Sequence, residues 1–258
     1  MYLYIDAGYL RRVFQDRLSA FLGREIGIHW PSVKEELGAQ RVFFYDSVDD
    51  IKRAGESETD FQLRQRNQEA QLDSIASLDG YFVRLGSFRG DAKRRRQKEV
   101  DVLLAVDMLT HSHRRNMSRA ILIAGDLDFK PVVEAVVEKG TLVTLVFEPR
   151  TGSRDLARAA DSQTLLTLRF LWNISLGPRS NETSELFPRS LGSHYNVKAS
   201  SYKTGTINGK PVRLFDEGDY WLMDLSELDG NLRERFWSNS NKQTLLNFIS
   251  EEFGQITW

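Results

Sequence analysis

The stretch AILIAGDLDFKPVVEAVVEKG, residues 120–140, decides the fold class. Its continuous apolar run at 120–124 is typical of a strand that is buried on both faces, as in a parallel sheet. A helical pattern follows over 128–139 and stops at Gly140, where glycine suits the position after a helix. A strand that leads directly into a helix predicts one unit of an α/β fold.

Similar β-branched or aromatic runs lie on both sides of this unit, at residues 2–6, 41–46, 81–85 and 142–147. The segments between them suit helices: residues 60–78 contain neither Gly nor Pro, and 98–113 carry an apolar stripe. Strands that alternate with helices imply right-handed crossovers. We therefore predict a three-layer α/β domain with a central, mostly parallel sheet over residues 1–172.

The composition changes after Trp172. The segment ISLGPRSNETSELFPRS has the Gly, Pro, Ser and Asn content of a linker. Beyond it, residues 202–215 have a hairpin pattern with a candidate type I′ turn at Asn208-Gly209, and 232–253 have the pattern of one or two helices. We predict a linker and a small C-terminal α+β appendage over 173–258, for which the sequence indicates no role.

Composition excludes several classes of function. The chain has 258 residues, a formal net charge of -1 and no cysteine. A globally basic nucleic-acid-binding protein is excluded by the charge, and thiolate zinc sites, iron–sulfur clusters and disulfides by the lack of cysteine. No basic n-region precedes the first apolar run, and no stretch approaches the ~20 apolar residues that span a bilayer. We therefore expect a cytoplasmic protein without a membrane segment.

Acidic residues follow the predicted strands. Asp6 and Asp46 end the first and second strands, and Asp126 and Asp128 follow the fourth. Ligands of open α/β sheets bind at the carboxyl ends of the strands, where the strand order reverses. Asp101 lies in the first turn of the helix over 98–113, on its apolar face, where a carboxylate is costly unless it is paired or bound to a cation. We expect Asp6, Asp101 and Asp126 to converge.

Carboxylates without cysteine indicate a site for a hard cation such as Mg²⁺ or Mn²⁺. Such a metal can activate water and neutralise charge on a phosphodiester. Taken singly, however, an Asp at a strand end is typical of a turn or a helix N-cap, and Asp128 precedes a helix start marked by Pro131. Asp107 lies about 120° around its helix from Asp101 and ranks below the others.

Four motifs in this order resemble the NYN domains, metal-dependent nucleases of the PIN-like superfamily, and in particular their bacterial branch. The motifs are YIDAGYL at 4–10, KEVDVLLAVDML at 98–109, the stretch at 120–140, and SRDLARAAD at 153–161. The resemblance covers about residues 1–170 and implies a ribonuclease that favours single strands and uses Mg²⁺ or Mn²⁺ in an acidic cleft.

By these motifs, Asp6, Asp101 and Asp126 match the metal-binding carboxylates of the family. Asp128 matches the second acidic position of its G-D-x-D-F motif and joins the three as a catalytic candidate, whereas the role of the position matched by Asp107 is less settled. The chain departs from the family at Gly8, Tyr9 and Leu10, since many relatives have Asn two or three residues after the first Asp. The metal preference or the activity of this protein could therefore differ from that of other family members.

Substrate contacts are expected from the basic segment RGDAKRRRQK at 89–98, because phosphate contacts supply most of the non-specific affinity for nucleic acids. A solvated charged loop is the alternative interpretation. Tyr9, beside the site, is a candidate for stacking on a base. The basic residues expected to contact substrate are Lys93, Arg94, Arg95, Arg96 and Lys98.

Three functions are compatible with these features. The leading hypothesis is a metal-dependent endoribonuclease that hydrolyses RNA, with single strands favoured and DNA left open as a substrate. The alternative is an NYN nucleic-acid-binding module that is inactive or needs a partner protein. A haloacid-dehalogenase-like or sugar-nucleotide D-x-D site is the third, but such a phosphatase needs a second Asp after its first strand, where Gly8 stands. The sequence indicates neither protein partners nor an oligomeric state.

Overall fold

The computed structural model describes residues 1–48, 51–86, 93–179, 186–192, 195–198, 201–228 and 235–258, of which residues 93–98, 179 and 201 are described by their backbone alone. Two compact units divide the chain. The first comprises Met1–Asp16 and Ile28–Leu166, and the second comprises Arg17–Gly27 and Thr167–Trp258.

The first unit is built on six parallel strands. They are β1 (Tyr2–Asp6), β2 (Arg41–Asp46), β3 (Tyr81–Leu85), β4 (Arg119–Ile123), β5 (Leu142–Phe147) and β6 (Ser162–Leu165). Their order in the sheet is β3-β2-β1-β4-β5-β6, and every neighbouring pair is parallel. The predicted α/β class with a mostly parallel central sheet is therefore confirmed.

Helices connect these strands. They are α1 (Ala7–Phe14), followed by a π-helical turn (Gln15–Ser19) and α2 (Ala20–Leu22), then α3 (Trp30–Glu36), α4 (Glu58–Ala76), α5 (Lys93–His113), a 3₁₀ turn (Leu127–Phe129) with α6 (Lys130–Glu138), and α7 (Arg154–Ala159). Patterns in the sequence predicted α4, α5 and α6, but α5 begins at Lys93 rather than at residue 98, so Asp101 lies beyond its first turn. The shorter α1, α2, α3 and α7 were not predicted, because a short helix shows no long apolar period.

The strand order reverses between β1 and β4. Leu3, Tyr4 and Ile5 of β1 are fully buried, as expected for a strand inside a parallel sheet. Ile5 pairs with Ile123 of β4, so that both strands end at the same edge. The loops after β1 and β4 diverge from this point, which is where open α/β sheets bind their ligands.

The second unit contains an antiparallel sheet with the order β7-β11-β10-β9-β8. Its remaining elements are α8 (Leu168–Asn173), a 3₁₀ turn (Gly177–Arg179), β7 (Arg189–Gly192), β8 (Ser201–Ile207), β9 (Lys210–Asp216), β10 (Trp221–Asp224), β11 (Phe236–Asn239) and α9 (Lys242–Phe253). The boundary between the two units follows Leu166, whereas residue 172 was expected. Residues 17–27 group with the second unit, although they lie near the start of the chain.

The predicted hairpin at residues 202–215 is confirmed, as β8 and β9. Asn208 and Gly209 have φ values of 51° and 77°, as a type I′ turn requires at both central positions. The expectation of helix over 232–253 was wrong for its first half, because Phe236–Asn239 forms β11 between β10 and β7. Tertiary pairing overrides helical propensity there.

An ion network joins the end of β10 to the middle of β9 and to the residue before β11 in the second unit. The Asp224 side chain is 4% exposed, and its Oδ2 and Oδ1 lie 2.9 and 3.3 Å from the guanidinium nitrogens of Arg213 and Arg235. Burial alone would raise the pKa of Asp224. Hydrogen bonds from Ser226 and Arg235 outweigh it and hold that pKa below its ordinary value of 3.8.

We expect Asp224→Asn to lower the free energy of unfolding at neutral pH by about 2 kcal/mol, because charge-assisted hydrogen bonds are removed at a buried site. A carboxyl with a depressed pKa stabilises the folded state above its unfolded pKa and ceases to do so as the pH falls through its folded pKa. The difference between wild type and variant should therefore shrink below about pH 4. Denaturant titrations followed by tryptophan fluorescence measure it, since Trp172, Trp221, Trp237 and Trp258 belong to this unit. A difference that persists at low pH contradicts the account.

Among the helices that the structure describes, none is long and apolar enough to cross a membrane.

Candidate active site

Asp6 and Asp126 lie at the point where the strand order reverses. Asp6 ends β1 and caps α1, its Oδ1 accepting the backbone N–H of Tyr9 at 2.9 Å. Asp126 caps the 3₁₀ turn after β4, its Oδ1 accepting the N–H of Asp128 at 3.0 Å. Both residues therefore serve as N-caps, the structural role that a strand-end Asp often has. In the described part of the chain, neither Oδ2 makes a hydrogen bond, so each cap leaves one oxygen for another ligand.

Asp101 shares this edge of the sheet, although it comes from a helix. It is half-buried on α5 and has no hydrogen bond or ion pair within the described residues. Burial, followed by the charges of Asp6, Asp126 and Asp128, raises the pKa of Asp101 to about 6. Burial and nearby negative charge both disfavour the charged form of a carboxyl group.

The same charges act on Asp6. Burial is the largest influence and raises the pKa of Asp6, and the charges of Asp46 and Asp126 raise it further. The N–H of Tyr9 and the charge of Arg12 act in the opposite direction but do not outweigh burial. The charge of Asp126 thus acts on both Asp6 and Asp101, and the charge of Asp6 acts on Asp101, as expected for carboxyl groups at one edge of the sheet.

The acidic residues at this edge have the right ligand atoms for a hard cation, but their side chains are not arranged around one position. Carboxylate oxygens are the ligands that Mg²⁺ and Mn²⁺ take, and the half-buried carboxyl of Asp101 has no compensating charge from its described neighbours. Across the described ranges, however, no three acidic or histidine side chains are close enough to hold a metal ion as they stand. The donor set fits the metal, and binding would have to draw the carboxylates together.

Tyr9 is a core residue at this edge and not a surface for stacking. Its side chain is 7% exposed, and its hydroxyl accepts the backbone N–H of Glu148 at 2.9 Å. Its ring packs on Gly125, where a Cβ would lie 2.3 Å from the ring carbon Cε2. A base cannot reach a ring that is enclosed in this way, which contradicts the expected contact between Tyr9 and substrate. Tyr9 instead connects the first turn of α1 to the loops after β4 and β5.

Glu148 is a residue of this edge that the sequence reasoning missed. It follows β5 directly and is 1% exposed. Its Oε2 accepts the backbone N–H groups of Arg150 and Thr151 at 2.7 and 2.9 Å, which fixes the loop beside Asp126's strand. The N–H of Ser153 continues this loop by donating to the carbonyl of Gly125 at 3.0 Å. An acidic residue directly after the apolar run at 142–147 was the available signal.

Asp107 belongs to a different network. Its Oδ2 accepts the Tyr45 hydroxyl at 2.8 Å and lies 3.3 Å from Nε of Arg84. Burial and the charge of Asp107 raise the pKa of Tyr45, so that its hydroxyl stays a donor. The charge of Asp107 is therefore satisfied inside the protein, unlike that of Asp101.

The expected substrate contacts lie outside the described residues. The structure describes only the backbone of α5 over residues 93–98, and the side chains of Lys93, Arg94, Arg95, Arg96 and Lys98 lie outside the described part. Arg12 is a described cation that the sequence reasoning missed. It is exposed, and its charge lowers the pKa of Asp6, so it lies within electrostatic reach of the acidic edge.

Two proteins similar to this chain are themselves of unknown function. The chain is 29% identical over 96 residues to the uncharacterized protein y4oD of Sinorhizobium fredii, in a match that covers 37% of this chain. It spans 44% of the length of that protein. A crystal structure of a protein of unknown function from Vibrio parahaemolyticus is similar over 68% of this chain and 94% of its own, with 16% identity and a TM-score of 0.48.

A family model, the NYN domain, matches residues 29–167. This range is more than half of the chain and contains Asp101, Asp126 and Asp128, whereas β1 and Asp6 precede it. It also contains most of the parallel sheet, since β2 to β6 all lie within it. The chain belongs to the NYN domain family, whose fold is nuclease-like.

Proposed function

We propose that this protein is a metal-dependent endoribonuclease that hydrolyses phosphodiester bonds of single-stranded RNA. The observation that carries the proposal is the position of Asp6 and Asp126 at the reversal point of the sheet, where each N-cap leaves one carboxylate oxygen without a hydrogen bond among the described residues. Carboxylates that repel one another at the reversal point of an NYN-family sheet are what a divalent cation would neutralise.

Asp6, Asp101 and Asp126 would hold Mg²⁺ or Mn²⁺. When bound, such a cation activates water and neutralises negative charge on a phosphodiester. The chain itself orients the site, because the N–H groups of Tyr9 and Asp128 fix one oxygen each of Asp6 and Asp126. The carboxylate of Asp128, which is exposed to solvent, would accept a proton from an attacking water as a general base.

RNA binding would rest on local cations. With a net charge of -1, the protein has no overall field to attract a polyanion. Arg12 lies beside the acidic edge, and the segment that contains Lys93, Arg94, Arg95, Arg96 and Lys98 leads into the helix that carries Asp101. Phosphate contacts from these side chains would hold the backbone on either side of the cleaved bond.

The direct test is cleavage of labelled single- and double-stranded RNA and DNA by the purified protein, with Mg²⁺, with Mn²⁺ and with a chelator. Metal-dependent cleavage of single-stranded RNA that is absent in Asp126→Asn supports the proposal. Binding of RNA without cleavage under any metal condition would instead identify a nucleic-acid-binding module that is inactive or depends on a partner.

Metal binding should also increase the stability of the folded protein. Mg²⁺ or Mn²⁺ is expected to stabilise the wild type by about 2.7 kcal/mol at a concentration 100 times the dissociation constant, and to stabilise Asp126→Asn much less. Without metal, the variant should melt at the same temperature or slightly higher, because one repelling charge is gone and Asn still caps the 3₁₀ turn. Melting curves with and without metal measure both effects. Marked destabilisation of the metal-free variant would mean that Asp126 acts chiefly as a cap.

Replacing Arg94, Arg95 and Arg96 with Gln should weaken RNA binding for all sequences and raise KM more than it lowers kcat. The salt dependence of binding should become less steep by roughly one unit for each phosphate that the variant can no longer bind. Binding is measured at several salt concentrations with Asp126→Asn protein, so that the RNA survives. An unchanged affinity and slope would show that RNA enters by another route.

A further inference from the structure

A cavity of about 600 Å³ lies near the carboxyl end of β2, between the loop that follows this strand and residues 60–71 of α4. This volume is in the range of pockets that bind small molecules. Arg11 lines it and also bonds Asp46, the last residue of β2, through Nη1 and Oδ2 at 2.6 Å. Because the charge of Asp46 acts on Asp6, the cavity opens beside the acidic edge.

The cavity is close to neutral, because its charges compensate one another. Arg64 is bound to Glu56 by two hydrogen bonds of 2.8 and 3.0 Å, and Arg11 is bound to Asp46. Arg53 and Asp60 add one further charge of each sign to the lining. The cavity has no surplus positive charge to attract a phosphate. A neutral polar ligand is favoured, because it can bind without displacing an ion pair.

Two side-chain amides offer such a ligand its hydrogen bonds. Asn67 and Gln71 lie one turn apart on α4, both exposed and both lining the cavity. Within the described part of the chain neither makes a side-chain hydrogen bond, so each presents an acceptor and two donors. Leu63, one further turn towards the start of the helix, supplies an apolar surface. Amides at this spacing match the donor and acceptor edges of a nucleobase.

Arg11 provides a platform for stacking. Its guanidinium lies 5.9 and 5.6 Å from the ring centroids of Trp30 and Phe44, and Asp46 holds it from the side. The side chain remains 37% exposed. A planar guanidinium that is fixed in orientation and open to the cavity is a surface on which unpaired bases stack.

We propose that this cavity binds one unpaired nucleobase of the RNA chain, adjacent to the phosphodiester that is cleaved. Arg11 stacks on the base, and Asn67 and Gln71 read its hydrogen-bonding edge. This inference rests on the proposed function and extends it, because it makes the protein selective for the base beside the cleavage site. A base can enter only from a single strand, which explains why paired RNA would be a poor substrate.

The experiment measures binding of short, fluorescently labelled homopolymeric RNAs of A, C, G and U in the presence of a chelator. The wild type should prefer one base, and Asn67→Ala combined with Gln71→Ala should lower the affinity for that base by about 10-fold and for the others by less. Cleavage sites mapped on a mixed-sequence RNA with metal should show the same base preference for the wild type and its loss in the double variant. The matched control is Gln62→Ala with Gln65→Ala, which removes two amides from α4 outside the cavity lining and should leave the preference intact.

A second variant fills the cavity. Leu63 is an exposed position on α4, so Leu63→Trp should fold normally while it blocks the base, and it should abolish the preference in the same way. Equal affinity of the wild type for all four homopolymers, or an unchanged preference in both variants, overturns the inference. Because binding is measured without metal, its failure is separate from failure of the proposed nuclease, which would appear as an absence of metal-dependent cleavage.

Discussion

Replacement of Asp6, Asp101 or Asp126 with Asn is expected to reduce RNA cleavage by a factor on the order of 10³ or more for each single variant. The three carboxylates come from the end of a strand, a loop and a helix, yet the charges of Asp6 and Asp126 both raise the pKa of Asp101. If they hold one cation, removing any one of them removes the same function. Double variants should therefore be little worse than single variants, which initial-rate measurements at saturating Mg²⁺ or Mn²⁺ will show.

The matched control for Asp101 is Asp107, an Asp on the same helix whose charge is satisfied by Tyr45 and Arg84. Asp107→Asn should lower stability, because a charge-assisted hydrogen bond is removed, while cleavage falls by less than about 10-fold. Reductions that multiply in the double variants would argue against a shared metal. A reduction in Asp107→Asn as large as that in Asp101→Asn would argue against the assignment of ligands.

Gly125→Ala should damage both stability and activity. The added Cβ would lie 2.3 Å from Cε2 of Tyr9, closer than any real contact, and the ring is too enclosed to move freely. Overpacking of this kind costs about 1–3 kcal/mol. Displacing the ring also deprives the buried N–H of Glu148 of its acceptor, at a further cost of about 1–3 kcal/mol. We expect a decrease of about 3 kcal/mol in the free energy of unfolding, with cleavage reduced more than about 10-fold because Asp126 shifts with its neighbour.

Gly8→Ala is the matched control, since its Cβ would lie at an ordinary 3.4 Å from Oδ1 of Asp6 and alanine is the better helix former. Its stability should be equal to that of the wild type or slightly higher. In a Tyr9→Leu background, Gly125→Ala should cost less than in the wild type, because the clashing ring is absent. Denaturant unfolding of the four proteins in this cycle gives the coupling. If the losses of stability in the two single variants simply add in the double variant, the Cβ at position 125 does not clash with the ring of Tyr9.

Local sequence patterns predicted most of the parallel sheet. Apolar runs predicted β1 to β5 because strands buried on both faces need continuous apolar residues, and these runs can be read without knowing their partners. The sixth strand, Ser162–Leu165, was missed, since an edge strand with the sequence SQTL pairs on one side only and lacks that pattern. The hairpin at Asn208-Gly209 was predictable because its turn depends on two adjacent residues.

The sequence by itself also indicated which carboxylates could meet, because strand ends and the apolar face of a helix can be identified from local periodicity and from motif resemblance. Only the tertiary structure decided which of them carry uncompensated charge. Asp101 and Asp107 are acidic residues of one helix, but Asp107 contacts Tyr45 and Arg84, whereas Asp101 is near the charges of other acidic residues. Likewise, Tyr9 is a buried structural residue, because Gly125 leaves space for its ring and the N–H of Glu148 donates to its hydroxyl. Such roles depend on contacts between residues that are distant in the chain, which no local pattern encodes.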